Sequence, residues 1–98
     1  MRYKDDRHSI FVRNINFKAT AKQLADFFET VCGYVVKARI IVGARTHVPQ
    51  GFGYVEFLDE EDAQAALGKD GVLFMERPLT IKPNRVPVED REGEIDTF

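Results

Sequence analysis

The chain has 98 residues, 44% of them hydrophobic, and a formal charge of −2 from 14 basic and 16 acidic side chains. That is enough for one small two-layer domain and too little for two. No apolar run approaches the roughly 18 residues that read as a membrane span, no N-terminal stretch has the basic-then-apolar order of a secretory signal, and a lone cysteine, Cys32, excludes an internal disulfide and a thiolate-rich metal site.

A soluble intracellular protein is therefore expected, with Cys32 a small buried or half-buried residue. Residues 1–8 read as an N-terminal arm. In Ile10-Phe11-Val12-Arg13-Asn14-Ile15 the residues Ile10, Val12 and Ile15 suit a core, while Phe11 and Arg13 face the other way. Thr20-Ala21-Lys22-Gln23 has capping-box spacing, and Leu24, Phe27, Phe28 and Val31 follow at helical intervals, predicting a helix that ends near Gly33. The Val- and Ile-rich stretch 34–42 predicts a second strand, with Lys37 and Arg39 outward. Gly43 to Pro49 reads as a loop carrying Arg45 and His47.

Gln50-Gly51-Phe52-Gly53-Tyr54-Val55-Glu56-Phe57 is the most informative segment. Successive strand side chains point to opposite faces, so Phe52 and Tyr54 share one face while Gly53, Val55 and Phe57 share the other. Asp59-Glu60-Glu61-Asp62 reads as a helix start, its carboxylates complementing the helix dipole and capping free N–H groups. Ala63, Ala66 and Leu67 make the apolar stripe of that helix, which runs to about Lys69. Gly71 turns the chain toward a last strand, Leu79-Thr80-Ile81-Lys82, which Pro83 is expected to end.

The order strand, helix, strand, strand, helix, strand is the split βαβ arrangement. The expected fold is thus α+β and ferredoxin-like (βαββαβ), a four-stranded antiparallel sheet with two helices on one face and the other face open. Phe11, Phe52 and Tyr54 belong on that open face. Exposed aromatic rings invite association unless they have a use.

Residues 10–15 and 50–57 together resemble the two signatures of the RNA recognition motif family, the longer of which runs Lys/Arg-Gly-Phe/Tyr-Gly/Ala-Phe-Val-x-Phe/Tyr. The resemblance covers about residues 9–86, which read as the domain. Gln50 stands where the family carries Lys or Arg; an amide can hydrogen-bond a phosphate or a base but brings no counterion release. The resemblance implies adjacent first and third strands at the sheet centre and single-stranded RNA as partner. Phe11 and Tyr54 would each stack a base, and Phe52 would pack on a sugar or between nucleotides. Arg13, Lys37, Arg39, Arg45, Gln50 and Lys82 would meet phosphates or base edges, and Asn84 and Arg85 could read a base. Cys32-Gly33, Pro49-Gln50-Gly51-Phe52, and Leu73-Phe74 before Arg77-Pro78-Leu79 are similar to nuclear polyadenylate-binding proteins. That similarity implies adenine-rich RNA, a role in mRNA processing or metabolism, RNA-processing proteins as further partners, and the nucleus over the cytoplasm.

A protein-interaction module on the same fold is the competing reading. One subgroup of the family binds tryptophan-bearing peptides through Arg-x-Phe after the second helix; here Arg77-Pro78-Leu79 lacks the Phe, and the sheet aromatics are kept. No enzymatic activity, cofactor, metal or small-molecule substrate is expected. His8 and His47 have no ligand spacing, and Ser9 beside His8 lacks an orienting group. Residues 9–86 hold ten basic and nine acidic side chains, so the excess acid lies elsewhere. Residues 87–98 carry Glu89, Asp90, Glu92, Glu94 and Asp96 against Arg91 alone. They read as a disordered acidic tail, either a linker or a competitor for the basic open face.

Overall fold

The computed structural model describes residues 3–43, 45, 46, 48–87 and 93–97, with the side chains of 3–6, 49, 85–87 and 93–97 outside the described set. Strand β1 (Tyr3–Arg13) leads through a short loop to helix α1 (Ala21–Val31). Strands β2 (Val35–Val42) and β3 (Pro49–Phe57) follow, then helix α2 (Glu60–Leu67). A small hairpin of β4 (Leu73–Phe74) and β5 (Arg77–Pro78) precedes strand β6 (Thr80–Pro87), and β7 (Gly93–Thr97) comes last. The main sheet has the order β6-β1-β3-β2-β7, and all its pairings are antiparallel. The four expected strands and two helices are present, with β7 added on the β2 edge.

Alternation in the sequence becomes two distinct faces. Along β3, Gly51, Gly53, Val55 and Phe57 are buried while Phe52, Tyr54 and Glu56 are half-buried. The buried set joins Ile10, Val12, Ala38, Ile40 and Ile81 under Ala21, Leu24, Ala25 and Phe28 of α1 and Ala63 and Ala66 of α2. Both helices therefore lie on one face, and the aromatic face is left uncovered by them. Gly53 permits the close approach of the central strands: a Cβ there would lie 2.1 Å from the Arg39 carbonyl oxygen on β2.

Thr20 caps α1 as its spacing predicts, with the Gln23 N–H donating to Thr20 Oγ1 at 3.2 Å and the Thr20 N–H donating to Gln23 Oε1 at 3.0 Å. The start of α2 differs from expectation. Asp59 is the N-cap but makes no side-chain capping bond, and Glu60 instead pairs with Arg7 on β1 at 2.9 Å. The acidic first turn of Glu60, Glu61 and Asp62 still suits the positive end of the helix dipole.

Three boundaries are corrected. Residues 3–8 of the expected arm belong to β1, because β6 runs on beside them. Pro83 does not end the last strand: the ladder skips from Ile10↔Pro83 to Asp6↔Asn84, and this irregularity on an edge strand accommodates a residue without an N–H. The tail expected to be disordered is in part β7, whose backbone pairs Gly93↔Val42 through Thr97↔Arg39. An edge strand such as β2 offers unpaired N–H and C=O groups to any extended segment within reach, whatever that segment's hydrophobicity.

Candidate nucleic-acid interface

Strand pairing places the aromatic and basic residues of the open face in rows. Phe11 on β1 lies directly opposite Tyr54 on β3 and Lys82 on β6, and Tyr54 lies opposite Arg39 on β2. Read across four strands, one row is Lys82, Phe11, Tyr54, Arg39. The Phe11 and Tyr54 ring centroids are 5.2 Å apart with planes inclined by 41°. The Arg39 guanidinium carbon stands 5.3 Å from the Tyr54 ring centroid, within cation–π reach. A second row is Thr80, Arg13, Phe52, with the Phe52 ring 5.5 Å from Phe11. The three rings thus form one continuous apolar strip with a cation at either end of its central row.

A third row tempers the charge. Glu56 on β3 lies opposite both Ser9 on β1 and Lys37 on β2, so a carboxylate stands beside Lys37 on the same face. Strand alternation carries Glu56 onto the face of Phe52 and Tyr54, a signal available in the sequence. Thr80 was legible in the same way, two residues before Lys82. Lys37, Arg13 and Lys82 are exposed and enter no ion pair among the described residues.

Asn84 has a different environment. It is only 3% exposed, and its Oδ1 has no hydrogen-bond partner among the described residues. Together with Phe11, Tyr54 and Pro83 it lines a hollow of about 140 Å³ at the edge of the aromatic strip. A buried acceptor left without a donor costs about 1–3 kcal/mol. Gln50 is exposed, and its Nε2 donates to the Val48 carbonyl at 2.9 Å, so part of its amide serves its own loop. Arg45 is exposed in the β2–β3 turn, outside the paired strands. The backbone of Arg85 on β6 pairs with Asp5 on β1, and its side chain lies outside the described residues, as does His47.

The model of the RNA recognition motif matches residues 10–80. The chain belongs to the RNA recognition motif family. Among its relatives, a serine/arginine-type shuttling mRNA-binding protein of Saccharomyces cerevisiae is 45% identical over 84% of this chain and 19% of its own. Polyadenylate-binding protein 2 of Dictyostelium discoideum is 34% identical over 90% of this chain and 40% of its own. The chain therefore spans less than half the length of either relative. Among solved structures, the Sex-lethal protein in its RNA complex superposes with a TM-score of 0.74 at 22% identity, covering 88% of this chain and 50% of that one, a likeness of fold. Among the described residues no cluster of three or more His, Cys, Asp or Glu could hold a metal, and no helix is long and apolar enough to cross a membrane.

Proposed function

We propose that this domain binds single-stranded RNA across the open face of the sheet. The observation that carries the reading is the row Lys82, Phe11, Tyr54, Arg39, in which two touching rings are flanked by two cations. Unpaired bases stack on such rings, and the cations meet the phosphates between them. Phe11 and Tyr54 each stack a base, Phe52 packs against a sugar, and Arg13 and Lys82 take phosphates. At about 1–3 kcal/mol per stacked base, with phosphate contacts added and ordering costs subtracted, micromolar affinity is expected, about 8 kcal/mol in all.

An adenine preference is supported by Asn84. Its Oδ1, without a partner among the described residues and beside Phe11, suits the adenine N6 amine, and an Asn amide can bond N6 and N7 of one adenine together. Kinship with polyadenylate-binding and mRNA-binding proteins extends the reading to mRNA metabolism, RNA-processing partners and nuclear residence. The protein-interaction alternative leaves the cation-flanked rings without a role.

The test is an amide chemical-shift map with a degenerate pool of short RNA at low salt, beside the Phe52→Ala, Tyr54→Ala double variant. Shifts along 10–14, 37–41, 52–56 and 80–84 that vanish in the variant are expected. Silence from folded protein at high RNA concentration would overturn the reading.

A further inference from the structure

The sheet face does not end at Phe52. Beyond it lies a cleft of about 340 Å³ whose walls include Arg13, Asn14, Phe17, Gln50, Phe52 and Arg77. This volume is at the small end of the roughly 300–1,000 Å³ typical of ligand sites and suits one nucleotide. The lining holds two arginines and no carboxylate. Phe52 belongs both to the aromatic strip and to this cleft, so the two are continuous.

Phe17 is the unexplained residue. It is a large apolar side chain left 58% exposed, and it sits in the β1–α1 loop rather than on a strand. Its position is fixed by bonds on either side. Asn16 Oδ1 accepts from the Lys18 N–H at 2.9 Å, closing a local turn around Phe17, while Asn16 Nδ2 donates to the Met75 carbonyl at 3.3 Å. The Ile15 N–H donates to the Gly51 carbonyl at 2.9 Å, tying the loop to β3. Gly51 has φ +81°, and a Cβ there would meet the Phe17 ring at 3.0 Å, so glycine leaves the ring its place.

The opposite wall is fastened in the same manner. Asn14, at φ 63°, turns the chain out of β1; its Nδ2 donates to the Pro78 carbonyl at 2.8 Å, and its Oδ1 accepts from Arg77 Nη2 at 2.6 Å. Arg77 is thereby held with its guanidinium carbon 6.0 Å from the Phe17 ring centroid. One bond to Asn14 leaves most of the five guanidinium donors for a ligand. No ring contact joins Phe17 to Phe52 among the described residues, although both line the cleft.

We infer that this cleft is a further nucleotide subsite, in which a base leaving the sheet past Phe52 stacks on Phe17 and its phosphate is held by Arg77 and Arg13. The inference rests on RNA occupying the sheet, and extends the footprint off the strands onto the β1–α1 loop and the β4–β5 hairpin. Neither Phe17 nor Arg77 is needed for the sheet rows themselves.

Random-sequence trinucleotide and pentanucleotide RNA pools test it, titrated against the wild type, Phe17→Ala, Arg77→Gln and the Phe52→Ala, Tyr54→Ala double variant. The wild type is expected to bind the longer pool roughly tenfold more tightly, the gain of one added stacked base. Phe17→Ala and Arg77→Gln should remove most of that gain while keeping the trinucleotide affinity, and the double variant should weaken both pools. Phe17 is exposed, so its replacement should leave the melting temperature near wild type, which is checked alongside. A length gain that survives in both Phe17→Ala and Arg77→Gln overturns the subsite and leaves sheet binding intact. Absence of binding by folded wild-type protein to either pool overturns both.

Discussion

Phe11 and Tyr54 are direct cross-strand partners on β1 and β3, and their rings touch on the open face of the sheet. Each ring therefore helps to set the orientation of the other as well as offering its own surface. Replacing either with Ala should weaken RNA binding by about 1–3 kcal/mol. The double replacement should cost less than the sum, because contacting residues couple by about 0.5–3 kcal/mol. A double-mutant cycle by titration calorimetry checks this. Strict additivity would mean that the two rings serve unrelated parts of the ligand.

The two cations that end the central row should behave differently. Lys82 acts through charge alone, so Lys82→Ala should lower the slope of log affinity against log salt by about 0.7, the value per phosphate for single strands. Arg39 also covers the Tyr54 ring. Arg39→Ala should lower the slope similarly and, in addition, weaken binding at high salt, where Lys82→Ala converges on wild type. Lys37 faces Glu56 across the β2–β3 ladder, so Lys37→Ala should change the slope least of the three. Binding isotherms over a salt series separate these outcomes.

Gly53 links the packing of the central strands to the site. A Cβ at this position would meet the Arg39 carbonyl oxygen at 2.1 Å and the Ile40 Cα at 3.2 Å, both backbone atoms of β2. Gly53→Ala must therefore push β2 and β3 apart, at a cost of about 1–3 kcal/mol for overpacking. The same displacement moves Arg39 away from Tyr54. Both the denaturation midpoint and RNA affinity should fall, whereas Gly71→Ala, where φ is +92° but the added Cβ meets nothing within 4 Å, should lower the midpoint through backbone strain and leave affinity unchanged.

What the sequence revealed and what it concealed have physical causes. Alternation in residues 10–13 and 51–57 was enough to separate core from open face, since a two-residue period is a local property of the chain. The Thr20 and Gln23 capping box was local too. The extension of β6 beyond Pro83 and the pairing of Gly93–Thr97 depend on free edges supplied by other strands, which no local pattern reports. Met75 and Glu76 both take positive φ in the β4–β5 turn, at 49° and 70°, without the Asn or Gly that would signal it. The placement of Phe17 is not legible locally because it depends on Asn16 reaching Met75, 59 residues away.

Cys32, the C-cap of α1, gives a pH-dependent readout independent of RNA. Burial pushes its thiol pKa up from the ordinary value; Asp62 adds to the rise, and Lys69 opposes it. The thiol therefore stays protonated in the fold at pH values where the unfolded chain has begun to ionise. This contribution to stability is fully present below the unfolded thiol pKa and is lost as pH rises through the folded one. Alkylation of folded protein by iodoacetamide should accordingly set in at higher pH than alkylation of denatured protein, because the thiolate is the reactive form. Asp62→Asn should move the folded profile to lower pH, and Lys69→Ala should move it higher. Coincident profiles for folded and denatured protein, after correction for accessibility with a neutral thiol reagent, would show that the helix end leaves the thiol solvated.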